Sequence, residues 1–460
     1  MENFFLYLEG FENILWGYIC FPILMILGLY LSYTSNFVQI RKFPTVIKTF
    51  LGFFKMRNQN VEGVHPIKAF FAAVGGCVGV GNIVGICTAV QLGGPGALFW
   101  IWITAILGMI LKYSEVYLGM RYRVKNEVSG GYNGGPMYFL QKVFKTSAVP
   151  MIVAGLLCIY GVEVYQFKTV AVSISTNIGG NELLICAIFI GLIFYAASGG
   201  VKRVGNISSA IIPVFVVFYV GMGLWVLVNN LGAFPAALGE VFYDAFTGTA
   251  ISGGLIGASL MKTISEGIRR GCYTGDIAIG YASVIHSESS STQPQKQASL
   301  VIFDVFLDTF MICTTSVMLI LVTGIWKEPM PTSMLVQTAL GQYFPYMHFF
   351  MPFFLFLLGY STINAYFCVG IKCAEYISPR YGKKVYYAYA LIALAIFSFV
   401  DPTQAQTVMM LAAGFLLILN CYGIFRLRSE ISFDLDDPKA TDYDGNDDGD
   451  LVPSPVRITI

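Results

Sequence analysis

Gly75-Gly76-Cys77-Val78-Gly79-Val80-Gly81-Asn82 sits in the middle of an apolar run, 67–92, long enough to cross about 30 Å of hydrocarbon. Four of the seven residues from 75 to 81 are glycine, and each costs a continuous helix about 1 kcal/mol relative to alanine. A helix broken at membrane depth is tolerated only where the freed backbone lines a cavity enclosed by protein. Unwound, the segment offers carbonyls to a cation, and N–H groups with a half-helix N-terminus to a carboxylate. The plainer reading is close packing of two helices through small residues. Spacing alone leaves the two near even.

The rest of the chain fits a membrane setting. Of 460 residues, 56% are hydrophobic and 12% charged, about half the charge of a soluble domain, and the mean hydropathy is +0.67. The 48 glycines show no Gly-X-Y period and suit helices that approach closely. The ten cysteines, Cys20, Cys158, Cys186, Cys313 and Cys421 among them, fall almost all in apolar runs and read as packing residues, not metal ligands or a disulfide framework. A net charge of +1 excludes steering by overall charge, and no nucleic acid is expected as a partner. Residues 1–10 carry Glu2 and Glu9 without a basic start, so no cleaved signal is expected. The three histidines, His65, His286 and His348, stand in no catalytic spacing, which argues against an enzyme.

Eleven spans are read, at 12–35, 67–92, 95–120, 148–172, 183–199, 204–229, 249–266, 298–326, 344–371, 385–400 and 402–425. They lack the period-two alternation of barrel strands, so they are helices. Lys and Arg concentrate in alternate loops: Arg41, Lys42, Lys48, Lys55 and Arg57; Arg121, Arg123, Lys125, Lys142 and Lys145; Lys202 and Arg203; Arg269, Arg270 and Lys296; Arg380, Lys383 and Lys384; Arg426 and Arg428. The other loops are nearly bare. The positive-inside rule then places the N-terminus outside and the C-terminus in the cytoplasm, as an odd number of spans requires. Residues 429–460, rich in Asp and with no periodic apolar face, are expected to form a disordered acidic tail.

A second interrupted segment decides the glycine question. Residues 249–286 hold Gly253, Gly254, Gly257, Gly267, Gly271, Gly275 and Gly280. With the first span set aside as peripheral, the two broken segments are the first and sixth helices of a ten-helix core. Paired interruptions at corresponding places in two halves are the cue for an inverted-repeat transporter. The expected organisation is a peripheral helix over 1–36, a cytoplasmic basic linker over 37–66, repeats over 67–231 and 232–428, and the tail.

Gly76-Cys77-Val78-Gly79-Val80-Gly81-Asn82-Ile83, then Gly93-Gly94-Pro95-Gly96-Ala97, Phe99-Trp100-Ile101-Trp102, Lys112, Glu115, Gly134-Gly135-Pro136-Met137-Tyr138, Asp308-Thr309 and Cys373-Ala374-Glu375-Tyr376 resemble the alanine or glycine:cation symporter family, over about 12–425. The resemblance implies an all-α LeuT-like fold in the cell membrane and symport of a small amino acid with sodium; no cofactor is expected, a proton is the other possible coupling ion, and the oligomeric state is left open, a monomer being sufficient. It implies a cation, Na⁺, held by Ser361 and Thr362 of the eighth core helix and by backbone at Gly76 and Gly79, although buried Ser and Thr also bond back to their own helix. It further implies substrate contacts at Gly75, Gly76, Cys77, Gly79, Gly81 and Asn82, at Gln166 in the place of the family's Met-Val-Gln glutamine, where an interhelical hydrogen bond is the other reading, and at Tyr366 in the place of its Trp.

The departures are specific. Cys77 and Val80 replace family threonines, and the family's Leu-Phe-Ser-Asn-Glu-Ala-Gly run becomes Cys272-Tyr273-Thr274-Gly275-Asp276-Ile277-Ala278. Glu163 and Lys168 stand in the third core helix where the family has uncharged polar residues. Glu163 reads as a substrate contact, for a charged substrate or for proton coupling; a structural ion pair, with Lys168 snorkelling outward, is the alternative. Beside the symporter stand a relative with altered substrate or proton coupling, and a solute sensor signalling through its tail.

Overall fold

The computed structural model describes residues 2–56, 62–126, 131–197, 199–248 and 256–436. Among the described residues seven helices are long and apolar enough to cross a membrane, and a bent pair, Pro66–Cys77 with Val80–Gly93, makes an eighth. The shorter Glu182–Ala197 and Gly382–Phe397 and the interrupted Ile256–Gly275 with Tyr281–Ser287 complete eleven in the expected order. Residues 249–255, with Gly253 and Gly254, lie outside the described segments.

A peripheral helix runs over Phe4–Thr34. It leans on the second and tenth core helices, Ala97–Arg121 and Pro402–Arg426, and Trp16 Nε1 donates to Met410 O at 3.0 Å. The stretch expected as a cytoplasmic basic linker carries two helices, Val38–Arg41 and the amphipathic Phe43–Phe54. Proline starts many of the core helices, at Pro66, Pro294 and Pro402, where its missing N–H costs nothing. Asp401 caps the tenth by accepting from Thr403 N at 2.8 Å.

The first broken helix packs on the fifth, Gly200–Asn229, and the eighth, Met347–Ile377; the sixth packs on the first and second. The third core helix is itself interrupted, Ala148–Tyr160 then Val164–Ile178, with Glu163 left-handed at φ 51°. The seventh, Pro294–Val322, widens into a π-turn over Phe306–Cys313.

Two expectations need correction. Arg269 and Arg270 do not lie in a loop. They are buried in the first half of the sixth core helix, where Arg269 Nη1 meets Glu12 Oε1 at 3.0 Å and also pairs with Glu266. Buried guanidinium groups so near the membrane need such carboxylates. The tail is not disordered from 429 onward. Arg121 Nε reaches Glu430 Oε2 at 3.2 Å, Tyr113 donates to Ser432 O at 2.6 Å, and Ile431 and Leu435 are buried. Eight residues therefore strap across the ends of the bundle. The Asp-rich run 442–450 lies outside the described residues.

Candidate functional site

The first helix breaks where its glycines cluster. Val78 is extended, with ψ 94°, Gly79 sits at φ −138° and ψ −160°, and the two halves diverge by 54°. A helix interrupted here leaves carbonyls behind the break and N–H groups ahead of it without partners in the helix. Side chains take them up. Thr362 Oγ1 donates to Gly75 O at 3.0 Å and to Val78 O at 3.4 Å. Asn82 Oδ1 accepts from Gly79 N at 2.8 Å, and Gln166 Oε1 accepts from Val80 N at 3.1 Å. Thr362 thus turns to the carbonyls of Gly75 and Val78 rather than to those of Gly76 and Gly79. Its neighbour Ser361 shares a hydrogen bond of 2.8 Å with Ser208 of the fifth core helix.

Glycine is required by contact as much as by conformation. A Cβ at Gly75 would lie 2.2 Å from Ser208 Oγ, one at Gly76 2.1 Å from Tyr281 Oη, and one at Gly79 2.4 Å from Gln166 Oε1. Gly81 has more room, its nearest atom being 3.1 Å away on the Tyr273 ring.

The sixth helix breaks between Gly275 and Tyr281, with Asp276, Ala278 and Gly280 all at positive φ. Asp276 stabilises the turn: Oδ2 accepts from Ala282 N at 2.9 Å and Oδ1 from Tyr366 Oη at 3.3 Å. Tyr366 stacks on Tyr281 with centroids 4.0 Å apart, and Tyr281 donates to Ala72 O at 2.7 Å. The two breaks are joined by Lys112. Its Nζ meets Asp304 Oδ2 at 2.6 Å, Gly275 O at 2.9 Å and Cys77 Sγ at 3.1 Å, with no exposed surface. Asn82 also donates to Asp308, which the π-turn of the seventh helix presents to it; widened turns of this kind often serve functional sites.

Gly75, Gly76, Cys77, Gly79, Gly81, Asn82, Gln166, Ser361, Thr362 and Tyr366 therefore converge on one region. Glu163 joins it through Tyr273, whose hydroxyl donates to Oε2 at 2.9 Å. Lys168 does not. It pairs with Glu182 and donates to Ser398 O at 2.7 Å, a structural contact away from the breaks. Sequence reasoning missed Ser208, Asp304 and Tyr281 as members of the cluster; of these, Asp304 carried a signal, a charge within the apolar run 298–326.

The region is closed at both ends. On one side Lys372 Nζ lies 2.5 Å from Glu288 Oε1, and Arg123 donates to the carbonyls of Ser287, Ser289 and Ser291 at 3.1, 2.6 and 2.9 Å. On the other, Thr263 Oγ1 donates to Gly93 O and Thr332 Oγ1 to Gln91 Oε1, each at 2.5 Å. Among the described residues no group of three or more His, Cys, Asp and Glu is placed to hold a metal ion.

The model of the sodium:alanine symporter family matches residues 1–448. The chain belongs to that family. It is 32% identical to the sodium/alanine symporter AgcS of Methanococcus maripaludis over 83% of this chain and 86% of that one. It is 30% identical to YflA, an uncharacterized transporter of Bacillus subtilis, over 94% and 93%, and 28% identical to the probable sodium/glutamine symporter GlnT of the same organism, over 94% and 90%. Among solved structures, MhsT in complex with L-phenylalanine matches with a TM-score of 0.57 at 14% identity, over 80% of this chain and 90% of that one. Mhp1 in an inward-facing conformation matches at 0.52 and 14%, over 81% and 79%. This member of the sodium:alanine symporter family thus has the LeuT-like fold, five core helices and five more behind a peripheral one. Family and fold are those of multi-pass membrane transporters, not of enzymes.

Proposed function

We propose that the chain is a cation:amino-acid symporter that carries alanine- or glycine-like small amino acids with sodium by alternating access. The observation that carries the reading is the break at Val78–Gly79. A hydroxyl, Thr362 Oγ1, already sits between two freed carbonyls, of Gly75 and Val78, and Ser361 Oγ lies beside it in the eighth helix. These are hard oxygen donors of the kind a sodium ion takes.

The substrate carboxylate has a matching place. In the closed arrangement the side-chain oxygens of Asn82 and Gln166 occupy the N–H groups of Gly79 and Val80. A carboxylate would replace them acceptor for acceptor, at the positive end of the half-helix that follows. Gly75, Gly76, Cys77, Gly81 and Tyr366 would enclose the remainder. This mode of capture uses backbone, so it survives the replacement of two family threonines by Cys77 and Val80. The halves 67–231 and 232–428 would rock around the site, with the N-terminus outside the cell and the C-terminus in the cytoplasm.

Uptake into proteoliposomes of labelled alanine, glycine and a panel of other amino acids, under an imposed sodium or proton gradient, tests the reading. Sodium-driven uptake is expected, with the sodium requirement of Thr362→Ala raised about five- to tenfold, as two weakened hydrogen-bonding contacts imply; Ser361→Ala acts in the same direction. Binding without gradient-driven uptake of any solute would overturn the carrier in favour of a sensor.

A further inference from the structure

Four carboxyl groups lie around the breaks without exposed surface: Glu163, Asp276, Asp304 and Asp308. Three are provided for. Asp304 has the Lys112 ammonium; Asp276 accepts from Ala282 N and the Tyr366 hydroxyl; Asp308 accepts from Asn82 and, at 2.9 Å, from Thr309 Oγ1. A fifth buried carboxyl, Glu115, sits one helix turn from Lys112 and shares the field of that cation.

Asp304 and Glu115 also leave carboxyl oxygens without a hydrogen-bond partner, but Lys112 acts on both of them and on Asp276 and Asp308, whereas no cation acts on Glu163. Oε2 accepts from the Tyr273 hydroxyl, while Oε1 is buried with no partner at hydrogen-bonding geometry. Its charged and titratable neighbours are Tyr160 and Tyr165 from its own helix, Tyr273 and Asp276 from the sixth, and Tyr366 from the eighth. None is a cation, and Lys168, the nearest cation along the chain, is turned away to Glu182. An ionised carboxylate so placed is costly, and such a group neutralises instead.

The surroundings say what neutralises it. Tyr160 and Tyr366 have ring centroids 5.3 Å apart, Tyr160 and Tyr273 6.2 Å, and Tyr165 and Tyr273 6.0 Å. The packed rings favour the one cation that needs no volume. Glu163 is also tied to both moving parts. It reaches the sixth helix through Tyr273, and it lies beside Gln166, which holds Val80 N at the first break. Its own backbone is left-handed at the interruption of the third helix, so a change at its carboxyl acts on a hinge.

We propose that Glu163 is a proton-binding site and that a proton travels with the amino acid in addition to the sodium ion. The proton binds at Oε1 from water on one side and returns to water on the other; no other bond changes. Protonated, Glu163 lets the breaks close around the substrate. Ionised in the closed form, it would leave an unpaired charge between them. The inference rests on the symporter reading above.

The test uses the full-length protein in proteoliposomes loaded with a pH-sensitive dye, with the membrane potential clamped by potassium and valinomycin. A sodium gradient drives a labelled amino acid that the protein carries. The expected result is internal acidification of about one proton per amino acid taken up, with uptake falling as external pH rises. In Glu163→Gln the proton-to-amino-acid ratio should drop to background and the pH profile should flatten, whatever uptake rate remains. Uptake by the unaltered protein without acidification would overturn the proposal, even if the variant failed to fold. So would an undiminished ratio in the variant. Those results leave the symporter reading standing, whereas absence of any gradient-driven uptake removes both.

Discussion

At residue 79 an added Cβ would lie 2.4 Å from Gln166 Oε1 and 2.6 Å from Thr362 Oγ1, the two side chains that hold the freed backbone. Neither can retreat without releasing its partner, Val80 N in one case and the carbonyls of Gly75 and Val78 in the other. Overpacking of this kind costs about 1–3 kcal/mol, and the added methyl also crowds the place proposed for the substrate carboxylate. Gly79→Ala is therefore expected to lower uptake at limiting substrate by about five- to a hundredfold, measured beside Gly81→Ala. At Gly81 the nearest atoms belong to an aromatic ring 3.1 Å away, so the smaller loss is expected there. Equal losses at the two positions would mean that the break does not bear on the substrate. The glycines were legible because a helix cannot easily carry four of them in seven residues. Of the partner side chains, Gln166 and Thr362 were legible through the family resemblance, whereas Ser208 and Tyr281 were not, since they come from other helices and nothing in their own neighbourhood marks them.

Between elements, Lys112 joins the second helix to the seventh through Asp304 and to both broken helices through Cys77 and Gly275 O. Removing one partner of a buried pair leaves an uncompensated charge and costs about 3–5 kcal/mol, while replacing both by apolar groups is often neutral. Lys112→Met should lower the thermal melting temperature in detergent by several degrees, and Lys112→Met with Asp304→Leu should recover most of that loss. Uptake should stay lost in both, because neither restores a donor to Gly275 O. Recovery of uptake in the double variant would show that Lys112 acts only as a counterion. At this scale the sequence was partly legible. Paired broken helices could be read from glycine content, but the second break falls at Asp276–Gly280, where two non-glycine residues adopt positive φ, and composition cannot locate that. The interruption at Glu163 had one signal, a charge inside an apolar run; the π-turn at Phe306–Cys313 had none.

Over the whole molecule, span count and order were readable because hydrocarbon thickness fixes helix length, whereas the strap of residues 429–436 was hidden by acidic composition. Its only mark is the alternation Ile431, Phe433, Leu435, and two of these are buried. Loop charge gave the orientation, yet Arg269 and Arg270 were counted on the cytoplasmic side and instead lie buried beside Glu12 and Glu266 of the bundle. The orientation must therefore stand without them. The proposed orientation then rests on Lys383 and Lys384 at the start of the ninth helix and Arg426 and Arg428 at the end of the tenth, which lie on one side, opposite the Lys- and Arg-free loop 230–233. Membrane-impermeant maleimide applied to intact cells decides the matter. Nine of the ten native cysteines are buried and Cys158 is half-buried, so background labelling should be low. Gln342→Cys and Lys383→Cys replace exposed residues separated by the eighth span. With the N-terminus outside, Gln342→Cys labels in intact cells and Lys383→Cys only after the membrane is opened. The reverse order would invert the proposed topology, and with it the side from which the amino acid, sodium and the proton enter.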